Sequence, residues 1–301
     1  MPQDGHEFLL LVYGEFSSLC VFYILKLMSV FNNISRRKFI YGCSCVCASS
    51  LILPSCTEVA LSDRPQLNIL SDDFLYSKTF PAYNNFKSQS KLITGTSEYN
   101  QIVDIGFKIR DAINVYYQTN AQEDPTSNFQ WEFILVDDDQ TKNAWCMPGG
   151  KIAFYSGILP ILKNADGVAS VMGHEIAHAV ARHSAERAST AMVTDLGIMA
   201  LEAFVLGQRL PEAAGYVRQF GLDLPFNRKQ ESEADYLGLI FSSLAGYDIN
   251  ESYKVWERMK EDMGGSGPSE FFSTHPSPDN RINNLKQWIP LVNAKYPAIS
   301  A

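Results

Sequence analysis

One stretch constrains this chain more than any other: Val171-Met-Gly-His174-Glu175-Ile-Ala-His178-Ala-Val-Ala-Arg182-His183. It sets H-E-x-x-H within a run of good helix formers. Four residues along an α-helix turn the side chain by about 400°, so His174 and His178 stand about 40° apart on one face and roughly 6 Å apart along the axis. At that separation two imidazoles can reach one zinc ion. Glu175 is rotated toward the same side, where it can take a proton from a water held there.

A catalytic zinc ion needs a third protein ligand and an open fourth position. A metzincin would carry glycine at position 181 and histidine at 184, but the chain has Ala181 and Ser184. His183 lies five residues past His178. On a continuing helix it would sit about 140° round and face away from the metal, as a packing or hydrogen-bonding histidine. The remaining arrangement takes a glutamate from a downstream helix, and Glu231-Ser-Glu233-Ala-Asp235 supplies one. Glu231 and Asp235 are four apart and share a face. Glu231 then completes the ligand set, while Asp235 hydrogen-bonds the far nitrogen of a ligand histidine. Glu233 points elsewhere and reads as solvated.

The chain has 301 residues, 46% of them hydrophobic, and a net charge of −8, which suits a globular domain with appendages. The acidic balance argues against nucleic acid as a partner, because phosphate binding needs a basic surface. Five of the six cysteines fall within the first 56 residues and only Cys146 lies beyond, which excludes a disulfide framework for the main body. Ser35-Arg-Arg-Lys-Phe-Ile40 has the form of a twin-arginine export signal, and Leu53-Pro-Ser-Cys56 that of a bacterial lipobox, with Cys56 as the acylated residue. Residues 1–56 are thus expected to be an N-terminal extension plus export signal, with translation starting at Met28. The expected location is a bacterial envelope, lipid-anchored and facing the periplasm, with the outer membrane slightly favoured. Residues 57–96 are mixed and polar and read as a linker. Residues 97–296 are expected to form the folded domain.

Within that domain, residues 97–119 carry apolar side chains at helical spacing. Trp131–Val136, Ala144–Met147 and Ile152–Tyr155 read as three strands joined by tight turns, an antiparallel meander. A long helix over 166–190 carries the H-E-x-x-H motif. An apolar helix over about 192–206 and an irregular cover over 207–226 are expected to follow. Asn227-Arg-Lys-Gln230 and Asp248-Ile-Asn-Glu251 are capping signatures that open two more helices, to about Gly246 and Asp262. Gly264–Pro268 reads as a hinge. Ser277-Pro278 opens a last helix that is expected to end at Pro290. The fold class is α+β, mostly helical, with a small three-stranded sheet beside the motif helix.

Several segments together resemble the minigluzincin zinc metallopeptidases, the group of the CAAX prenyl endopeptidases, of envelope proteases of the HtpX, BepA and LoiP kind, and of a mitochondrial inner-membrane stress protease. They are Asn143–Gly150, Gly173–His178 through Ser184, Pro225–Asp235 and Thr274–Arg281. The resemblance implies a zincin-like fold and a zinc metalloendopeptidase with one Zn2+ held by His174, His178 and Glu231, and with Glu175 as general base. It implies that His275 and Arg281 approach the metal and stabilise an oxyanion, although in some members the counterpart of His275 instead occupies the metal and keeps the enzyme latent. Asn143 and Ala144 match the substrate-binding edge strand, which can add an extended peptide through main-chain hydrogen bonds. The substrates implied are misfolded or unassembled membrane and envelope proteins. The alternative is a latent, chaperone-like binder of unfolded chains with His275 closing the zinc site.

Overall fold

A computed structural model describes residues 56–192 except Ala60 and Asp63, residues 226–266, the single residues Phe271, Ser273 and His275, and residues 280–299. The export-signal segment, the start at Met28, the apolar helix after Met192, the cover over 207–225 and the Ser277-Pro278 helix start lie outside the described residues.

The element order is β1 (Cys56–Glu58), β2 (Pro65–Leu67), α1 (Asp72–Gln89), β3 (Leu92–Ile93), α2 (Ser97–Thr119), β4 (Glu132–Val136), β5 (Ala144–Met147), β6 (Lys151–Tyr155), a short α3 (Leu159–Leu162), α4 (Ala165–Val180), α5 (Arg228–Leu244), α6 (Glu251–Ser266) and α7 (Arg281–Lys295). The protein is mostly helical with a small mixed sheet. That sheet has four strands, not three, in the order β3-β4-β6-β5. It is not a meander either. β5 and β6 are antiparallel, while β4 runs parallel to β6, with Phe133 opposite Ile152 and Leu135 opposite Phe154.

The two connections explain the difference. Pro148-Gly149-Gly150 turns tightly, with φ of 87° and 80° at its glycines, and makes β5–β6 a hairpin. The connection from β4 to β5 spans residues 137–143, long enough to skip one strand position. Asp138 fixes its path by accepting from the backbone N–H groups of Gln140 and Thr141, while its own N–H donates to Ser156 Oγ. β5 is left at the edge, beside α4.

Strand β4 reads Phe133-Ile-Leu-Val136 without a polar break, which requires both faces of the sheet to be covered. Phe133, Leu135, Ile152 and Phe154 enter the main core with α2, α4, α5, α6 and α7. Ile134, Val136 and Ala153 face the other way and pack with Tyr83 and Phe86 of α1. The cover of that second face is therefore the stretch expected to be a linker. Its helix is capped by Ser71, whose side chain accepts from Phe74 N–H, and starts with Asp72 and Asp73 against the positive helix end. Only Leu75, Thr79 and Tyr83 of α1 are buried, and Pro81 stands inside it. So weak an apolar stripe explains why sequence periodicity does not show the helix.

Helix α2 has the expected bounds, and Asn227 with Gln230 forms the reciprocal capping box that opens α5. Two other ends differ. Helix α6 runs on through Gly264 and Gly265 to Ser266, and α7 passes Pro290 and ends at Lys295. Proline lacks an N–H and bends a helix without always stopping it.

Helix α4 is buried nearly all round, and its largest packing partner is α5. Two glycines set their separation. A Cβ on Gly173 would stand 2.5 Å from Ser242 Oγ and 2.8 Å from the Gly238 carbonyl oxygen; one on Gly238 would stand 2.9 Å from His174 N. The helices thus touch backbone to backbone at the turn that carries His174. Ser242 Oγ adds a hydrogen bond to the Ala169 carbonyl at 3.0 Å. This close crossing brings the start of α5 beside the histidines of α4.

Candidate metal centre

His174, Glu175 and His178 project from α4, Glu231 and Asp235 from α5, and His275 and Arg281 from the C-terminal segment. All seven are buried. One ligand atom each from His174, His178, Glu231 and His275 falls within 4.8 Å of the others. Nε2 of His174 and Nε2 of His178 are 3.1 Å apart. The Glu231 carboxylate lies 3.6 Å from the first and 3.5 Å from the second. Glu231, far away in sequence, stands where the spacing argument needs it.

Each of the two outer ring nitrogens has a buried partner. His174 Nδ1 lies 3.1 Å from Asp235 Oδ1, and Arg281 Nη2 lies 3.2 Å from both nitrogens of the same ring; a proton on Nδ1 facing the carboxylate leaves Nε2 bare, the tautomer a metal ligand needs. His178 Nδ1 lies 2.8 Å from His183 Nδ1, and His183 Nε2 lies 2.9 Å from Glu233 Oε2. Glu233 requires the His183 proton on Nε2, so His183 Nδ1 accepts from His178 Nδ1–H. His178 Nε2 is then bare as well. With both rings in that tautomer, two bare nitrogens face each other at 3.1 Å, a spacing at which one cation can take both.

The carboxylates agree. Among the described residues, buried Glu231 Oε2 and Glu175 Oε1 have no hydrogen-bond donor. Arg281 Nη1 is 3.0 Å from Glu231 Oε2 but poorly aligned, so it too lacks a hydrogen bond. Unsatisfied acceptors at this depth are costly without a cation. Two neutral imidazoles and a carboxylate are a zinc donor set, and the residues therefore fit the metal.

Electrostatics sort the groups. Burial, helped by the Arg281 charge, holds His174 well below the usual histidine range; burial and the neighbouring histidines do the same for His178. Both are neutral, as ligands must be. Burial pushes Glu231 up, but His275 and Arg281 outweigh it and keep the group an anion. Burial drives the Glu175 carboxyl up to about 7; His275, Arg281 and the Cys146 backbone N–H counter it and Glu231 adds to it. The Cys146 N–H thus places Glu175 next to the edge strand β5. For His275, burial lowers the pKa but Glu231 and Glu175 outweigh it, so it is raised.

His275 is not at a distance suited only to an oxyanion. Its Nδ1 is 3.1 Å from Glu231 Oε1 and 3.4 Å from His174 Nε2, and its Nε2 is 3.5 Å from Glu175 Oε1. Phe271 stacks on it at 4.4 Å. Arg281 grips Asp235 with two hydrogen bonds and lies over the Trp256 ring at 3.5 Å. Asn143 precedes β5 and Ala144 opens it, and both are buried; Asn143 Oδ1 accepts from Ala144 N–H at 2.9 Å. Cys56 begins β1, opposite Leu67. Beside His178 a cleft is lined by Leu75, Tyr76, Phe129, Pro148 and Ala185.

Two residues behave differently from the sequence reading. Helix α4 does not run on to 190. It ends at Val180, Arg182 takes a left-handed φ of 54°, and helical structure resumes over 183–192. The break swings His183 back under His178, where an unbroken helix would have turned it away. Glu233 is buried, not solvated, and accepts from His183, Arg64 Nε and Ser62 Oγ. The break carries no glycine or proline to signal it.

Comparison with known proteins agrees with this geometry. Residues 111–289 match peptidase family M48. The chain is 43% identical over 171 residues to the mitochondrial metalloendopeptidase OMA1 of Schizosaccharomyces pombe, covering 56% of this chain and 50% of that protein. It is 37% identical over 204 residues to the Saccharomyces cerevisiae protein of the same name, 65% of this chain and 57% of that one. The beta-barrel assembly-enhancing protease of Escherichia coli is 30% identical over 180 residues, 54% of this chain and 36% of that protein. The chain thus spans about half the length of the fungal relatives. The similar proteins from fungi, plants and animals are mitochondrial by name, which overturns the bacterial, lipid-anchored location expected from the Cys56 tetrapeptide. By its matched residues and its His-His-Glu centre, the chain belongs to peptidase family M48, whose metallopeptidases depend on zinc.

Proposed function

We propose that this chain is a zinc metalloendopeptidase of mitochondria, with a zincin-like fold, that cleaves misfolded or unassembled membrane proteins. The observation that carries the reading is the convergence of the His174 and His178 Nε2 atoms, 3.1 Å apart, on the Glu231 carboxylate, with Glu175 Oε1 undonated next to them. His174, His178 and Glu231 would hold the metal. Zinc, when bound, supplies the Lewis acidity that makes a water nucleophilic near neutral pH. Glu175 would take a proton from the attacking water and return it to the leaving amine. The backbone of Cys146 fixes its carboxylate. Asp235 orients His174. The edge of β5 at Asn143 and Ala144 would align an extended peptide by main-chain hydrogen bonds, a contact indifferent to sequence and suited to unfolded segments. The mitochondrial location follows the names of the relatives, as does the protein substrate class.

A second reading concerns His275. Its ring nitrogens stand among the ligand atoms, which favours His275 as a group that closes the centre over an oxyanion role. In that state the chain would hold unfolded protein without cutting it.

The test is cleavage of an unfolded protein such as casein by the zinc-loaded enzyme and by Glu175→Gln. Loss of cleavage with zinc retained supports the peptidase; undiminished cleavage in the variant refutes it. His275→Ala adds the second answer: a gain of activity supports closure, and a loss supports oxyanion stabilisation.

A further inference from the structure

The family match begins at residue 111, yet the contact that backs up the buried ligand His178 begins well upstream. Hairpin β1–β2 presents Ser62 and Arg64 to the start of α5. Arg64 Nε donates to Glu233 Oε2 at 2.7 Å, and Ser62 Oγ donates to Glu233 Oε1. The other edge of the same guanidinium makes a two-toothed pair with Glu186, at 2.7 and 2.8 Å. Glu186 also accepts from Gln230 Nε2 at 2.8 Å. One planar fork thus locks the helical stretch 183–192 to α5, with Glu233 aimed at His183. Only arginine has donors on two edges for two carboxylates at once. From there the chain of donors runs one way: His178 Nδ1–H to His183 Nδ1, and His183 Nε2–H to Glu233.

We propose that Arg64, supplied by the N-terminal hairpin, is a positioning residue for the metal: through Glu233 and His183 it holds His178 with its Nε2 bare and aimed at the ion. The inference rests on the reading of His174, His178 and Glu231 as zinc ligands. If Glu233 swings away, His183 loses the acceptor that keeps its proton on Nε2. His183 Nδ1 can then carry the proton, and the 2.8 Å contact to His178 Nδ1 becomes a clash of donors. Outer partners of ligand histidines set ring orientation and basicity, and their loss weakens metal binding about 10–100-fold.

The test measures zinc affinity of the full chain by competition with a chromophoric chelator, and the visible spectrum of the cobalt-substituted protein. Arg64→Ala is expected to weaken zinc about 10–100-fold and to alter the cobalt bands. Arg64→Lys keeps the charge but reaches a single carboxylate, so it is expected to fall between wild type and Arg64→Ala. Ser189→Ala removes the Ile69 N–H to Ser189 Oγ contact at 3.1 Å, which ties the same segment down elsewhere, and is expected to leave both readouts unchanged. Wild-type zinc affinity and spectrum in Arg64→Ala overturn the proposal, as does equal weakening by Ser189→Ala. If Arg64→Ala fails to fold, unchanged zinc affinity in Arg64→Lys overturns it. A wild-type protein that takes up no zinc overturns the metal-site reading itself, and this inference with it.

Discussion

At the scale of single residues, the proposed function separates binding from proton transfer. Glu175 sits beside the candidate ligands, its Oε1 has no donor among the described residues, and burial pushes its carboxyl up to about 7. Glu175→Gln keeps size and loses basicity, so peptide hydrolysis is expected to drop about 10²–10⁴-fold while zinc content, read by atomic emission, stays at the wild-type level. On the proposed reading Asp235 would act on the metal from behind, through His174 Nδ1, 3.1 Å away. Asp235→Asn is expected to weaken zinc about 10–100-fold, measured by chelator competition. Much of this was legible in the letters. The spacing of His174 and His178 follows from helix geometry, and a four-residue step puts Glu231 and Asp235 on one face. His183 and Glu233 were not legible. Their positions depend on the left-handed turn at Arg182, and a backbone break at a non-glycine residue leaves no mark in local sequence.

At the scale of elements, the ligand set exists because α4 and α5 touch. Gly173 and Gly238 face each other at the crossing, with no room for a methyl group on either. Gly238→Ala is expected to destabilise the fold by about 1–3 kcal/mol, the usual cost of overpacking, and to weaken zinc as well, because Glu231 lies two turns from the contact on the same helix. Urea denaturation of the metal-free protein checks the first effect. The helices that hold the site were readable from capping residues: Asn227 and Gln230 mark the start of α5 as the sequence implied. The sheet was harder. Short connections predict a meander, but the seven residues between β4 and β5 can span a strand, and only the network around Asp138 shows that they do. Helix α1 stayed hidden because three buried side chains and an internal proline make no amphipathic signature.

At the scale of the whole molecule, the hairpin and α1 that precede the matched region are parts of the folded body: α1 covers one face of the sheet, and the hairpin clamps the base of the metal centre through Arg64. Among the described residues no helix is long and apolar enough to cross a membrane. Ion pairs between distant segments, as at Glu186, and within one helix, as at Glu251, give stability a sign with pH. Burial raises the Glu186 carboxyl, but Arg64 and Gln230 outweigh it; burial raises Glu251, but Arg258 and Lys254 outweigh it. Both folded values lie below the unfolded one of about 4.3. Their contribution is therefore present above that pH and is lost as the pH falls through the folded values. Urea midpoints are expected to fall between about pH 5 and pH 3, and less steeply in Glu186→Gln. An equal slope in that variant would remove Glu186 from the account.

The convergence of a remote carboxylate on two imidazoles is tested most directly by titrating zinc into the metal-free protein and into Glu231→Gln. The account predicts one tightly held ion per wild-type chain and no stoichiometric uptake by the variant. Wild-type zinc affinity in Glu231→Gln would contradict it.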